Sequence, residues 1–480
     1  MKNSLFALVL VFGAAALLLY RHFIPDDAFI HIGYAKDILS GKGYSFAGNK
    51  TYGSTAPLWP LLIAATAFIL HNFVASARLL SLGFAAASIV MMYYTAKLRF
   101  GSIESSIAAF LLAANAYFLR WSFTGMEAPA ACFFMLLLAF IVYKENDGTS
   151  KRSVYLPLGL APLIRPEFCL VFLIFFSYLL AEQKTKFDFV KIILSALPLL
   201  CWLTFAIAYY GTIVPTTLLS KAGDPFFSTE IYTLLRDAKL LLSENLVEIG
   251  FILVAVTMFL LPTRNPKLIT TKRINSETFL FMILTFSFFC FYMLKNVAII
   301  SRYSLMITPL VILVTVDFVG RVIQRWNFST GTKRFAWVAL IAGSAFYNSL
   351  FTAFIVKPDA DRFYEGFQKH YTEIAELLNK LNTGNCHVAT PDVGIIGVYS
   401  GCGIYDLGGL VDKDWYNYNK STEEYLKAKK PEFIILRTGV HVRLPDLDVS
   451  LQKIYDATLA GFGINATQDT HVEVYRAHWQ

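Results

Sequence analysis

Residues 5–29 read LFALVLVFGAAALLLYRHFIPDDAF, an apolar run that closes at Tyr20 and is followed by two adjacent carboxylates, Asp26 and Asp27. A run of this length and composition reads as a transmembrane helix, so the polar stretch after it opens at one face of a bilayer. Taking a carboxylate out of water there costs several kcal/mol unless a partner or a bound molecule offsets it. Two such groups side by side point to chemistry at the lipid–water boundary.

The rest of the chain agrees with a membrane setting. Hydrophobic residues make up 56% of the 480 and charged residues 16%, and the mean hydropathy is +0.52, too apolar for a soluble domain of this length. The net charge of +8 does not imply a nucleic-acid partner, because the basic residues are spread over short loops and form no basic, aromatic-interleaved segment. Uninterrupted spans are predicted near 4–20, 76–96, 103–119, 128–143, 190–210, 246–263, 277–294, 303–320 and 335–355. Between 153 and 182 a further apolar stretch is broken by Arg165-Pro166-Glu167. It reads as two short helices whose break faces a cavity instead of lipid. The expected fold class is therefore a polytopic α-helical membrane protein of eleven spans with a soluble α/β domain after residue 356.

Charge asymmetry orients it. With the N-terminus inside, the short cytoplasmic segments carry 17 Lys and Arg and the longer outer loops fewer, as the positive-inside rule requires. Asp26, Asp27 and everything beyond 356 then lie outside a bacterial cytoplasmic membrane. Two other readings compete with this one. Residues 1–20 have the Lys2, apolar core and small residues of a cleaved signal peptide, but the apolar run continues past any cleavage site near Ala16. Pro57–Phe73 is apolar enough to span, yet a span there would invert every later loop, so it is placed on the outer surface with Trp59 at headgroup level.

In the first outer loop, Pro25 can start a helix on which Asp27, His31 and Tyr34 share a face. Glu127 sits in a very short outer loop, Arg165 and Glu167 at the helical break, Lys221 after Tyr209-Tyr210-Gly211, and Arg302 after Asn296. Each has a bland alternative: the aspartates complement a helix N-terminus, Glu167 pairs with Arg165, Lys221 is solvated, Arg302 snorkels at a helix end. Their convergence on one face of the membrane is what favours a site.

Pro25-Asp26-Asp27-Ala28-Phe29-Ile30, Gly41-Lys42-Gly43, Gly53-Ser54-Thr55-Ala56-Pro57-Leu58-Trp59, Thr124-Gly125-Met126-Glu127, Ile164-Arg165-Pro166-Glu167 and Tyr209-Tyr210-Gly211-Thr212 occur in this order. Together they resemble the GT-C superfamily of integral membrane glycosyltransferases, most of all the branch of cell-wall arabinofuranosyltransferases. More distant likenesses are to the lipid A aminoarabinose transferase and the protein O-mannosyltransferases. Pro391-Asp392-Val393-Gly394 and the run Ile404 to Asp412 are also similar to that branch. The resemblance implies transfer of a sugar, a pentofuranose by preference, from a polyprenyl-phosphate donor to an extracytoplasmic glycan, lipid or protein acceptor. It maps the catalytic acids onto Asp26, with Asp27 adjoining, and onto Glu127. Asp26 is then the expected general base in a single inverting displacement, a step that contributes ~10²–10⁴-fold. Arg165, Lys221 and Arg302 are the candidates for the donor phosphate, and His31, Tyr34, Trp59 and Glu167 for other substrate contacts. No cofactor is required. Asp26, Asp27 and Glu127 could offer hard oxygen ligands to a divalent metal, but the resemblance does not call for one.

Residues 357–480 read as a small α/β domain. Arg362–Leu381 and Thr422–Lys429 have helical patterns, and Cys386–Thr390 and Pro431–Leu436 are apolar enough for buried strands. Cys386 and Cys402 are the two cysteines in this exported part, so a disulfide between them is expected; His387 alone with Cys386 does not make a metal site. The rival functions are a flippase or transporter of a lipid-linked sugar and a lipid-linked oligosaccharide polymerase or ligase. The sequence names neither sugar nor acceptor.

Overall fold

The computed structural model describes residues 2–182, 188–221, 230–261, 274–294, 299–326, 328–418, 421–438, 447, 449–461 and 469–479. Among them, seven helices are long and apolar enough to cross a membrane, or eight if a pair bent by 87°, Ile231–Glu244 with Leu246–Phe259, is one span. The remaining predicted spans appear as shorter pieces. The 103–119 stretch divides into Ser102–Ala114 and Ala116–Trp121 because Asn115 takes an extended conformation and its Oδ1 accepts the Phe118 N–H at 2.9 Å, capping the second piece. The 153–182 stretch is broken as expected: short turns lead to Ile164, and the Phe168–Glu182 helix begins after Arg165-Pro166-Glu167. Lys184, Lys186, Arg264, Lys267, Lys272, Arg273 and Lys295, which enter the charge count, lie outside the described residues.

Leu58–Leu70 forms a 13-residue helix. At 1.5 Å per residue it is roughly 20 Å long, short of a hydrocarbon core of about 30 Å. It ends on His71 in the left-handed conformation, and Asn72 caps the long helix Phe73–Ala96 that follows. Trp59 is not at a headgroup position: it is fully buried and its Nε1 donates to the Gly125 carbonyl at 2.8 Å. Gly125 is at φ +80, and a Cβ there would press on Ala77. This replaces the expected interfacial anchor by a core contact that fixes the loop before Glu127.

The expected boundary at 356/357 falls inside a helix. Thr330–Leu381 is continuous over 52 residues, with π-helical turns at Thr352–Val356 and Tyr364–Gln368. At roughly 78 Å it is more than twice the hydrocarbon thickness and carries the chain from the bundle into the C-terminal sheet domain. There five strands, β1 His387–Thr390, β2 Gly403–Asp406, β3 Phe433–Thr438, β4 Val449–Leu459 and β5 Thr470–Trp479, run in the order β2-β1-β3-β5-β4. β1 pairs in parallel with β2 and β3, while β5 is antiparallel to β3 and β4. The helix Thr422–Lys429 and the Cys386–Cys402 disulfide both form. The long β4–β5 hairpin was not read from the sequence.

The sheet domain is bonded to the polar segment that follows the first helix. Gln368 Oε1 accepts the Ile24 N–H at 3.1 Å, Lys36 donates to the Val398 carbonyl at 3.0 Å, and Asn49 donates to the Ile404 carbonyl at 2.8 Å. The helix Asp26–Leu39 also packs on the short helix Gly394–Tyr399.

Candidate active site at the membrane–domain junction

A cavity of about 580 Å³ lies where the bundle, the long helix and the sheet domain meet. Asp26, Asp27 and Arg302 line it, together with Arg120, Arg236, Asp359, Arg362, Asp392 and Arg437, which the sequence did not single out as a set. Aromatic side chains, among them Phe23, Trp121, Phe363 and Phe367, form much of the remaining wall.

Asp26 and Asp27 open their helix, with Pro25 as the extended residue before it. Their roles diverge at once. Asp26 turns to the sheet domain: Oδ2 accepts the Gly394 N–H at 2.9 Å and Oδ1 the Ile395 N–H at 2.8 Å. Burial, then the nearby Asp392 carboxylate, pushes its pKa up to about 7 against the pull of those two N–H groups. With each oxygen accepting one backbone N–H, Asp26 joins the halves of the molecule while it lines the cavity. Asp27 keeps about two fifths of its side chain exposed and is held by Arg302 Nη2.

Arg302, itself 6% exposed, is in turn fixed from behind. Its guanidinium lies over the Tyr303 ring at 5.1 Å, and its carbonyl accepts Arg165 Nη2 at 3.0 Å. Arg165 does not line the cavity. It stacks over Tyr303 at 4.4 Å and sits 3.4 Å from Glu127 Oε1 and 4.0 Å from Glu167 Oε1, while Tyr292 donates to Glu167. His31 Nε2 approaches Glu127 Oε2 at 3.4 Å. Burial would raise the Glu127 carboxyl, but His31 and the charges of Arg165 and Arg302 outweigh it and hold it well below the carboxylate range. Arg165, Glu127, Glu167 and His31 therefore form a buried charge network beneath Arg302. None of these four, expected at the catalytic, phosphate or substrate contacts, is among the residues that line the cavity.

Tyr34 is likewise corrected. It is fully buried, donates to the Thr51 carbonyl at 2.8 Å and accepts the Gly53 N–H at 2.9 Å, so it shapes the outer loop from within. The Lys221 side chain lies outside the described residues. Arg236 reaches the cavity from the first half of the Ile231–Glu244 helix, with Nε and Nη2 at 3.2 and 3.1 Å from Asp237 Oδ1. On the wall formed by the long helix and the sheet domain, Arg120 pairs with Asp359 at 2.7 Å and Arg437 with Asp392 at 3.0 Å.

The three acids considered as metal ligands are engaged by different protein donors and do not converge. Among the described residues, Asp456, His471 and Glu473 do converge, on the β4–β5 hairpin away from the cavity. Lys453 already bonds both acids there, at 2.9 and 2.7 Å.

Comparison with known proteins follows this geometry. A family model described as a domain of unknown function, DUF8728, matches residues 361–475. Over 254 residues the chain is 24% identical to the terminal beta-(1->2)-arabinofuranosyltransferase of Mycobacterium tuberculosis, covering 48% of this chain and 40% of that one. The chain thus spans less than half the length of this curated relative. The crystal structure of ArnT from Cupriavidus metallidurans bound to undecaprenyl phosphate superposes with a TM-score of 0.67 at 10% identity, covering 98% of both chains. The Archaeoglobus fulgidus oligosaccharyltransferase AglB, in complex with an inhibitory peptide and a dolichol-phosphate, gives 0.55 at 12% identity over 90% of this chain and 69% of that one. The fold implied by the GT-C resemblance is therefore the fold this multi-pass chain has.

Proposed function

We propose that the chain is a glycosyltransferase that moves a sugar from a polyprenyl-phosphate donor to an acceptor hydroxyl at the outer face of the membrane. The observation that carries this is the Asp27–Arg302 contact at the wall of the cavity. It holds an exposed carboxylate beside a cation whose back is fixed by Arg165 and Tyr303. In this reading Asp27 takes the proton of the acceptor hydroxyl as its oxygen attacks the anomeric carbon. The new carbon–oxygen bond forms as the bond from that carbon to the donor phosphate breaks, and the phosphate leaves with the electron pair. Arg302 stabilises the growing charge, with Arg236 as the second cation at the lip. A fixed guanidinium in a dry, low-dielectric site acts more strongly than one in water and needs no reorganisation. One displacement inverts the anomeric centre.

An apolar groove of about 430 Å³ lined by Leu241, Leu242, Ile249, Met282, Phe286 and Val311 runs beside the helix that carries Arg236. It suits the hydrocarbon tail of the donor. The undecaprenyl phosphate held by ArnT and the dolichol-phosphate held by AglB support a lipid-phosphate carrier here. The arabinofuranosyltransferase relative supports a pentofuranose as the sugar.

The test is transfer of a labelled sugar from synthetic polyprenyl-phosphate donors, arabinofuranose first, by the purified full chain in lipid nanodiscs with membrane extracts as acceptor pool. Transfer by the wild type that Asp27→Asn abolishes, with donor binding intact, is the expected result. Donor bound by both proteins with no glycosidic bond formed from any extract would favour a lipid-linked-sugar flippase.

A further inference from the structure

We infer that Asp392, held from behind by the buried Tyr371, forms with Arg437 a subsite that binds the hydroxyls of a carbohydrate acceptor. The inference rests on the transferase reading and adds to it the class of acceptor. Asp392 and Arg437 line the cavity from the sheet domain, opposite in origin to the bundle residue Arg302. Asp392 accepts from Tyr371 on Oδ2 at 2.7 Å and lies 3.0 Å from Arg437 on Oδ1.

Those two partners leave capacity unused, since an ionised carboxylate has about four lone-pair sites. Arg437 is about one third exposed and places its guanidinium over the Phe367 ring at 5.6 Å. Its fork offers five N–H donors, of which the Asp392 contact occupies one side. Acceptors and donors are therefore presented together on one rigid pair. A sugar hydroxyl is both donor and acceptor, and two neighbouring hydroxyls match such a pair. Phe363, partly exposed at the cavity wall and backed at 5.1 Å by the buried ring of Phe367, supplies an apolar surface for the C–H side of a sugar ring. The donor phosphate is assigned above to Arg302 and Arg236, which leaves this pair for the acceptor. A hydrocarbon acceptor would not use the remaining hydrogen-bonding capacity of Asp392 and Arg437.

Asp392 is a binding residue in this account and does not enter the chemical step. The experiment measures calorimetric binding of a synthetic linear arabinofuranose oligosaccharide, then a mannose oligosaccharide, to the full chain in nanodiscs. Acceptor and donor KM are measured in parallel. Asp392→Asn and Arg437→Lys should each weaken glycan binding at least about tenfold, the loss expected for one hydrogen bond to a charged group, while donor KM is unchanged. Tyr371→Phe should have a smaller effect in the same direction, and it guards against misfolding of the charge variants. Equal glycan binding by wild type and both charge variants, or no binding of either oligosaccharide by the wild type, would overturn the subsite. Glycan bound at Asp392 but never glycosylated would sink the transferase reading and leave the subsite standing.

Discussion

Replacing each of the adjacent acids by its amide separates the two roles proposed for them. Asp27→Asn removes the proton acceptor from the cavity and leaves Arg302 without its counter-charge. Loss of a general base lowers the chemical step ~10²–10⁴-fold, so single-turnover transfer should fall by that factor while the donor still binds. Asp26→Asn does something else. The amide keeps one carbonyl oxygen for Gly394 or Ile395, whose N–H groups now bond Asp26 at 2.9 and 2.8 Å, and sets its NH2 against the other. One hydrogen bond to a charged group is worth about 1.5–3 kcal/mol, so docking of the sheet domain should loosen by roughly one to two orders of magnitude in its equilibrium constant. Limited proteolysis reads that loosening as faster cleavage between the long helix and β1, and kinetics read it as a raised acceptor KM with the single-turnover rate at saturation nearly kept. The reasoning is refuted if Asp26→Asn abolishes the saturated single-turnover rate as fully as Asp27→Asn does while the proteolytic pattern stays that of the wild type.

Glu127→Gln should leave Arg165 buried and under-compensated, costing about 3–5 kcal/mol, visible as a lower thermal midpoint in detergent while acceptor KM hardly moves. Serine at both Cys386 and Cys402, whose loop separation is 16 residues, should destabilise the sheet domain by about 3 kcal/mol; protease sensitivity of that domain under non-reducing conditions checks it. Asp26, raised to about 7, and Asp406, raised to about 6, both by burial first, bind protons more tightly when folded than when exposed. Their stabilising contribution is fully present below about pH 4 and is lost as pH rises through about 6–7, so the domain's protection from protease should weaken between pH 5 and 8, less so in Asp26→Asn.

The membrane class and the break at Arg165-Pro166-Glu167 were legible because they depend on local composition and on charge against an apolar background. So were the strand at 433–438 and the helix Thr422–Lys429. What was not legible is convergence. Nothing near Asp26 in the chain reveals that its carboxylate meets backbone N–H groups at 394 and 395, and nothing near Arg437 or Asp392 places them opposite Arg302. Facing was also hidden: Trp59 and Tyr34 share the polar-aromatic character of cavity residues, yet both point into packed interior. The border was expected after residue 356 because the membrane-like apolar pattern stops there, although the helix itself runs on through Lys357-Pro358-Asp359. Proline is tolerated there at the start of a helical turn that directly follows a π turn.

The unbroken helix Thr330–Leu381 has a rotational consequence. Each residue of an α-helix advances the chain about 100° around the axis and 1.5 Å along it. A π turn commonly marks one residue accommodated in excess of the regular repeat. The two π turns at 352–356 and 364–368 therefore set the angular phase at which the sheet domain meets the bundle. A one-residue insertion or deletion along this shaft would swing Asp392 and Arg437 around it by about a quarter turn or more, away from Asp27, with every local fold intact. The spacing of this helix is thus as much a determinant of the site as any side chain in it, and its length is constrained in whole turns, not in residues.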